Sequence, residues 1–155
     1  MFKVGDKIVY PMYGAGIVSD IETEETGVHY VIRIPKGNLK IKVAVSKNDK
    51  IGVRPVSDES EIMKAIELVL SIPVAIQSNW SIRYKENLEK IRGGRLCDVV
   101  EVARNLMLRE RERGLSSAEK KMLNSAKQIA VSEIAFAKGI DFQFAEDFLA
   151  NKLLY

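Results

Sequence analysis

The sequence predicts an α+β protein in which a small β barrel, residues 1–56, is followed by a compact all-helical domain, residues 57–155. Two observations predict it. Up to Val56 the chain is built of short β-branched runs broken by Gly, Pro and Asn, the pattern of brief antiparallel strands. Beyond Val56 the apolar period lengthens to that of helices, with cap and stop residues at regular intervals.

The strands come first. "KIVY", "GAGIVSDIE", "VHYVIRIP", "LKIKVAV" and "IGVRPV" are the five candidates, with turn signals at "ETGV" and "PKGN". Five strands at this spacing suit a Tudor-like or SH3-like barrel. Alternation in "HYVIRIP" sends Tyr30, Ile32 and Ile34 to one face and Val31 and Arg33 to the other, so one of those faces fills the barrel. The first helix, "SDESEIMKAIELVLSIP", opens on Ser57 or Asp58 as a cap and closes at Pro73. A connector, "SIPVAIQS", leads to Asn79, which caps a second helix carrying Tyr84, Leu88 and Ile91 on one stripe and ending at Gly93-Gly94. The third helix runs from Leu96 to about Glu112 with an apolar stripe through Val99, Val100, Ala103, Leu106 and Met107, and Gly114 stops it. Ser116 and Glu119 stand at capping-box spacing before a fourth helix that reaches Gly139. A last helix, "DFQFAEDFLANKLL", offers Phe144, Phe148 and Leu149 as its packing face.

Composition narrows the function classes. At 46% hydrophobic and 29% charged residues the chain has a globular composition, with no apolar run long enough to span a membrane. Charges interrupt "MFKVGDKIVYP" where a signal peptide needs an apolar core, and the one cysteine, Cys97, has no internal disulfide partner. Both features predict a cytoplasmic protein. Catalysis finds no support. His29 lies in a strand without a neighbouring base or ligand, Cys97 borders an apolar stripe, and "GAG" at 14–16 leads into a strand instead of the helix a dinucleotide site requires. No metal site, no cofactor and no enzymatic activity are expected.

Surfaces remain. Residues 80–127 hold 12 Lys/Arg against 7 Asp/Glu, while residues 128–155 hold 2 against 4, so positive charge gathers mid-way through the helical part. An anionic partner and a solvated helical surface are both compatible with that. In "RERER" the bases have acidic neighbours, and pairing along the helix accounts for them. Around the single tryptophan the balance differs. No acid occurs between Glu67 and Glu86, whereas Trp80, Arg83, Tyr84 and Lys85 cluster at a helix start. Cations, free backbone N–H groups and a ring suit a nucleic-acid contact. Trp80 also shares the stripe of Tyr84, Leu88 and Ile91, so a core role stays open.

Three blocks in order, "FKVGDKIVYPMYGAGIV", "NWSIRYKENLEKI" and "RERERGLSSAEKKMLNSAKQIAVSEIA", resemble the CarD-like bacterial transcription factors over nearly the whole chain. The resemblance implies a monomeric, non-enzymatic regulator. Its Tudor-like domain would bind the RNA polymerase β subunit, and its helical domain would meet promoter DNA at the upstream edge of the transcription bubble. By the same resemblance, contact there would be through the minor groove and independent of base sequence. By resemblance Trp80 is the wedge that opposes bubble collapse, and Arg83, Tyr84, Lys85, Lys120 and Lys121 complete the DNA surface. Val31, Arg33, Lys40, Lys42 and Val43 match the polymerase-binding edge. Ile82 stands where some relatives carry a basic residue, and Ala44 where many carry a proline. The rival readings are a protein–protein adaptor with Trp80 as its anchor, and a repair-associated polymerase-binding module.

Overall fold

The computed structural model describes residues 1–74 and 78–155. Part of the connector expected at 71–78 therefore lies outside the described residues. The strands are β1 (Lys7–Tyr10), β2 (Gly14–Glu24), β3 (Gly27–Ile34), β4 (Leu39–Ala44) and β5 (Arg54–Pro55). They form one antiparallel sheet in the order β4-β3-β2-β1-β5. Ile8, Val18, Tyr30, Ile32, Ile34, Val43 and Val53 bury against one another, so the sheet wraps around a core of its own. Of the two faces predicted for β3, the one bearing Tyr30, Ile32 and Ile34 fills that core.

The strand expected over "IGVRPV" is shortened to Arg54–Pro55. A 3-10 turn, Val45–Lys47, and a one-turn helix α1 (Asn48–Ile51) intervene, and only Arg54–Pro55 pairs with β1. The reason is local: Gly52 adopts φ 85° and donates to the Asn48 carbonyl at 2.7 Å, closing the helical turn before a strand can begin.

Five longer helices follow: α2 (Glu59–Ser71), α3 (Trp80–Gly93), α4 (Leu96–Arg113), α5 (Ser117–Lys138) and α6 (Phe142–Leu154). Asp58 caps α2 in a complete capping box with Glu61. Arg104, 3% exposed, closes the other end of α2 by donating to the carbonyls of Val69 and Ile72. Val99, Val100, Ala103 and Leu106 of α4 are buried in the second core, as the stripe predicts. The face predicted for α6 needs correction. Leu149 is buried and Phe148 partly so, but Phe144 is 67% exposed, because the inward stripe runs through Ala145, Leu149 and Leu153 at four-residue spacing.

Helix α5 joins the two cores. Every residue from Ile129 to Ala135 is buried, as a helix packed on both sides must be. Toward the sheet, Ser132 Oγ accepts the Ala15 N–H at 2.9 Å and donates to the Ile129 carbonyl at 2.8 Å. A Cβ on Gly14 would stand 2.6 Å from that hydroxyl, and Gly14 has φ 106°, so both space and conformation demand glycine. One residue on, the fully buried Glu133 receives both terminal nitrogens of Arg54 at 2.7 Å and the Ser57 N–H at 2.8 Å. Arg54 Nε reaches further, to the carbonyl of Gly94 at the end of α3.

Removing one member of a buried pair costs far more than removing both. Glu133→Leu should lower unfolding free energy by about 3 kcal/mol, with Arg54 left facing an apolar wall. Adding Arg54→Met should recover part of the loss. Urea titration of the wild type, Glu133→Leu, Arg54→Met and the double variant checks this, and additive losses would contradict it.

Candidate nucleic-acid interface

Asn79 opens α3 by accepting the Ile82 N–H at 3.1 Å, and no acidic residue occupies the first turn. Farther along, Ile91 is buried and Tyr84 and Leu88 pack against the helical core. Trp80 belongs to the same stripe but lies a turn beyond the core, with 43% of its surface exposed. It is nevertheless held. Its ring stacks on Tyr84 with centroids 5.1 Å apart and planes 18° from parallel. Its indole N–H donates to Ser116 Oγ at 3.2 Å. Ser116 is the N-cap of α5 and also accepts the Glu119 N–H, so one hydroxyl starts a helix and orients the indole.

Arg83 is elsewhere than expected. Its Nε and Nη2 donate to the two carboxylate oxygens of Glu119 at 2.8 and 3.1 Å, and the two side chains are only 10% and 2% exposed. Hydrogen bonds from Arg83 hold the Glu119 carboxyl below the ordinary 4.5, against burial that pushes it up, and the same bonds raise the Arg83 guanidinium. A buried carboxylate needs a dedicated counter-charge, so Arg83 joins α3 to α5 instead of facing solvent. The capping box expected at Ser116 and Glu119 is thus half formed: Ser116 caps the backbone, while the Glu119 carboxylate goes to Arg83. Lys85, Lys120 and Lys121 are exposed and enter no ion pair among the described residues. With Trp80 and Tyr84 they are the predicted residues that the fold brings to the surface around the start of α3 and α5. In "RERER" no ion pair forms within the run among the described residues, and Arg111 turns instead to the Leu154 carbonyl and the Tyr155 ring.

The second predicted surface lies on β4, an edge of the sheet. Val31 and Val43 are 2% and 3% exposed, and Val31 lies on β3, paired on both sides, so neither residue offers a partner any surface, contrary to expectation. Arg33 and Lys40 are exposed and directly opposite on β3 and β4, a like-charge juxtaposition that an acidic partner would relieve. Lys42 is already engaged by Glu22 at 3.0 Å and by Glu24, whose hydrogen bonds raise its pKa.

Two residues that sequence reasoning passed over shape the first surface: Ser116 as the indole's acceptor and Glu119 as Arg83's partner. Their spacing was visible, but the spacing of a cap says nothing about a helix 36 residues away.

Comparison with known proteins covers both surfaces. Residues 2–57 match the CarD-like/TRCF RID domain, and residues 64–150 match the CarD C-terminal domain. The chain is 38% identical over 148 residues to the putative transcription factor YdeB of Bacillus subtilis (strain 168), an alignment covering 90% of this chain and 94% of that one. Among the described residues no helix is long and apolar enough to cross a membrane.

The lowered Glu119 pKa has a pH consequence. A carboxyl depressed in the folded state contributes stability that is complete above its unfolded value and is lost as pH falls through the folded one. Acid unfolding should therefore steepen below the ordinary 4.5, and Glu119→Gln should flatten that limb. The same substitution should cost about 3 kcal/mol at pH 7 by orphaning Arg83. Urea midpoints measured from pH 7 to pH 3 check both, and parallel curves for the two proteins would contradict the assignment.

Proposed function

This chain belongs to the CarD-like family of transcription factors, and from that premise we propose that it stabilises open promoter complexes by holding Trp80 against the upstream edge of the transcription bubble. In this reading residues 1–56 dock on the β subunit of RNA polymerase, and residues 57–155 meet the DNA. One copy suffices, because both surfaces lie on one chain. The observation that carries the reading is the state of Trp80: half exposed, yet fixed by Ser116 and Tyr84 at the start of a helix.

Reclosing a bubble regains base stacking, and a ring that occupies the gap replaces part of it. Base–aromatic contacts are worth roughly 1–3 kcal/mol each. Ordering a free side chain on binding costs about 0.5–1.5 kcal/mol, and Trp80 is already ordered, so little of its contact energy is lost that way. A surplus of about 1.4 kcal/mol lengthens the open state tenfold at fixed opening rate. Lys85, Lys120 and Lys121 supply phosphate contacts that carry no sequence information. On the barrel, β4 presents its main-chain edge with Arg33 and Lys40 beside it, whereas Lys42 orders Glu22 and Glu24. Strand-edge addition with flanking charge recognition is an established way to bind a protein.

Trp80→Ala should shorten open-complex lifetime about tenfold on a promoter whose bubble recloses readily, with polymerase binding unchanged. Equal decay of the two complexes in a competitor-challenge assay would refute the wedge. Lys40→Glu should weaken capture of the β subunit more than Lys42→Ala does, since Lys42 is already neutralised. Titrating polymerase against each variant decides it, and the reverse order would move the interface off this edge.

A further inference from the structure

Beside the Trp80–Tyr84 stack lies a cleft that the wedge reading leaves unused. It has a volume of about 410 Å³ and opens between the β1–β2 turn and helices α3 and α5. Tyr84 and Leu88 line one side, Met122 the α5 side, and Met12 of the turn the barrel side. No carboxylate is among its lining residues, and its one charged group is Lys121, with Lys120 next in sequence. The volume falls within the roughly 300–1,000 Å³ usual for small-molecule sites.

Two further observations bear on its occupant. Met12 has φ 74°, a left-handed conformation that a long side chain adopts only when its surroundings impose it, and it is 40% exposed. Strain of that kind gathers where a side chain must be aimed. The turn is imposed by its neighbours: Tyr13 N–H donates to the Tyr10 carbonyl at 3.0 Å, and Pro11 packs so closely on Gly94 that a Cβ there would be 3.3 Å from its ring. In addition, Tyr84 belongs both to the cleft and to the stack with Trp80, so aromatic surface continues from the wedge into the cleft.

We propose that this cleft takes one unpaired base of single-stranded DNA, with Lys121 on the adjoining phosphate. The proposal rests on the reading that places Trp80 at a DNA fork. The flat face of a base fits between tyrosine and two methionines, whose soft, flexible side chains adapt to any base, while its polar edge points to the cleft's open mouth. The cation and the absence of carboxylates match the phosphate. Besides the Tyr84 and Ser125 hydroxyls the lining offers no neutral polar side chain, so the site accepts bases without reading them. Trp80 would fill the gap left in the duplex, and the cleft would detain a base that has left it.

The test uses the full chain in an open complex with RNA polymerase, on promoter DNA carrying 5-iodouracil at successive unpaired positions near the upstream edge. Irradiation should crosslink one position to peptides containing Met12, Tyr84 or Met122. Ser125→Phe fills the cleft from an exposed lining position and should abolish that crosslink while shortening open-complex lifetime about threefold. Met12→Gly removes the barrel-side wall and the positive-φ strain together. It should lower crosslink yield several-fold while leaving thermal stability equal or higher. Crosslinks confined to Trp80, with lifetimes unaffected by Ser125→Phe, would overturn the cleft proposal and leave the fork reading standing. An inert Trp80→Ala with no crosslink anywhere would overturn the fork reading and the cleft with it. Loss of polymerase binding by Ser125→Phe in the absence of DNA would make the cleft a protein socket and also overturn the proposal.

Discussion

A single buried carboxylate locks the two cores of this molecule together. Glu133 has no exposed surface, and its oxygens are taken by the Arg54 guanidinium and the Ser57 N–H. Such a pair adds little net stability over an apolar contact of the same shape, because desolvation offsets most of the attraction. What it adds is direction. A bidentate Arg–carboxylate contact has one good geometry, whereas apolar surfaces slide with little penalty. Arg54 extends the same geometry to the Gly94 carbonyl, and Pro11 presses on Gly94 from the barrel turn. The C-terminal end of α3 is thus located by the sheet.

Its N-terminal end is located by α5. Ser116 holds the indole of Trp80, and Glu119 holds Arg83. Glu133, Glu119 and the cap Ser116 all belong to one stretch of chain, so α5 sets both ends of α3 against the barrel. A force applied at the sheet edge therefore reaches Trp80 through ion pairs and hydrogen bonds, without a flexible joint among the contacts described. That connection keeps the separation between the β4 edge and the surface around Trp80 constant.

The architecture was readable because it rests on local signals. Asp58, Asn79 and Ser116 cap α2, α3 and α5 where their sequence neighbourhoods announce helices, and Gly94, Gly114 and Gly139 end α3, α4 and α5. Where reading failed, contacts at long sequence separation had intervened. Phe144 lies a single residue off the true stripe of α6, and only packing against α5 distinguishes the two faces. Val31 sits on the face opposite the barrel core and was expected at the surface, yet it too is buried. A signal for the double-sided burial of α5 does exist in "IAVSEIA", which is apolar on all sides apart from one serine and one glutamate. Those two polar residues are the ones that bind the barrel.

The sequence by itself determined the order of the strands and the five longer helices, the family, and the concentration of cations and aromatic residues near Trp80. These follow from spacings of two to four residues, which backbone geometry converts directly into faces and caps. Tertiary structure alone decided which charges are spent and which are free. Arg83 and Arg54 look in sequence like Lys85 and Lys120, but the first two meet buried glutamates 36 and 79 residues away. It also decided that Trp80 is both exposed and fixed, since its acceptor and its stacking partner come from different helices. Pairing a buried charge is compulsory, and only the docked helices determine where the pair can form.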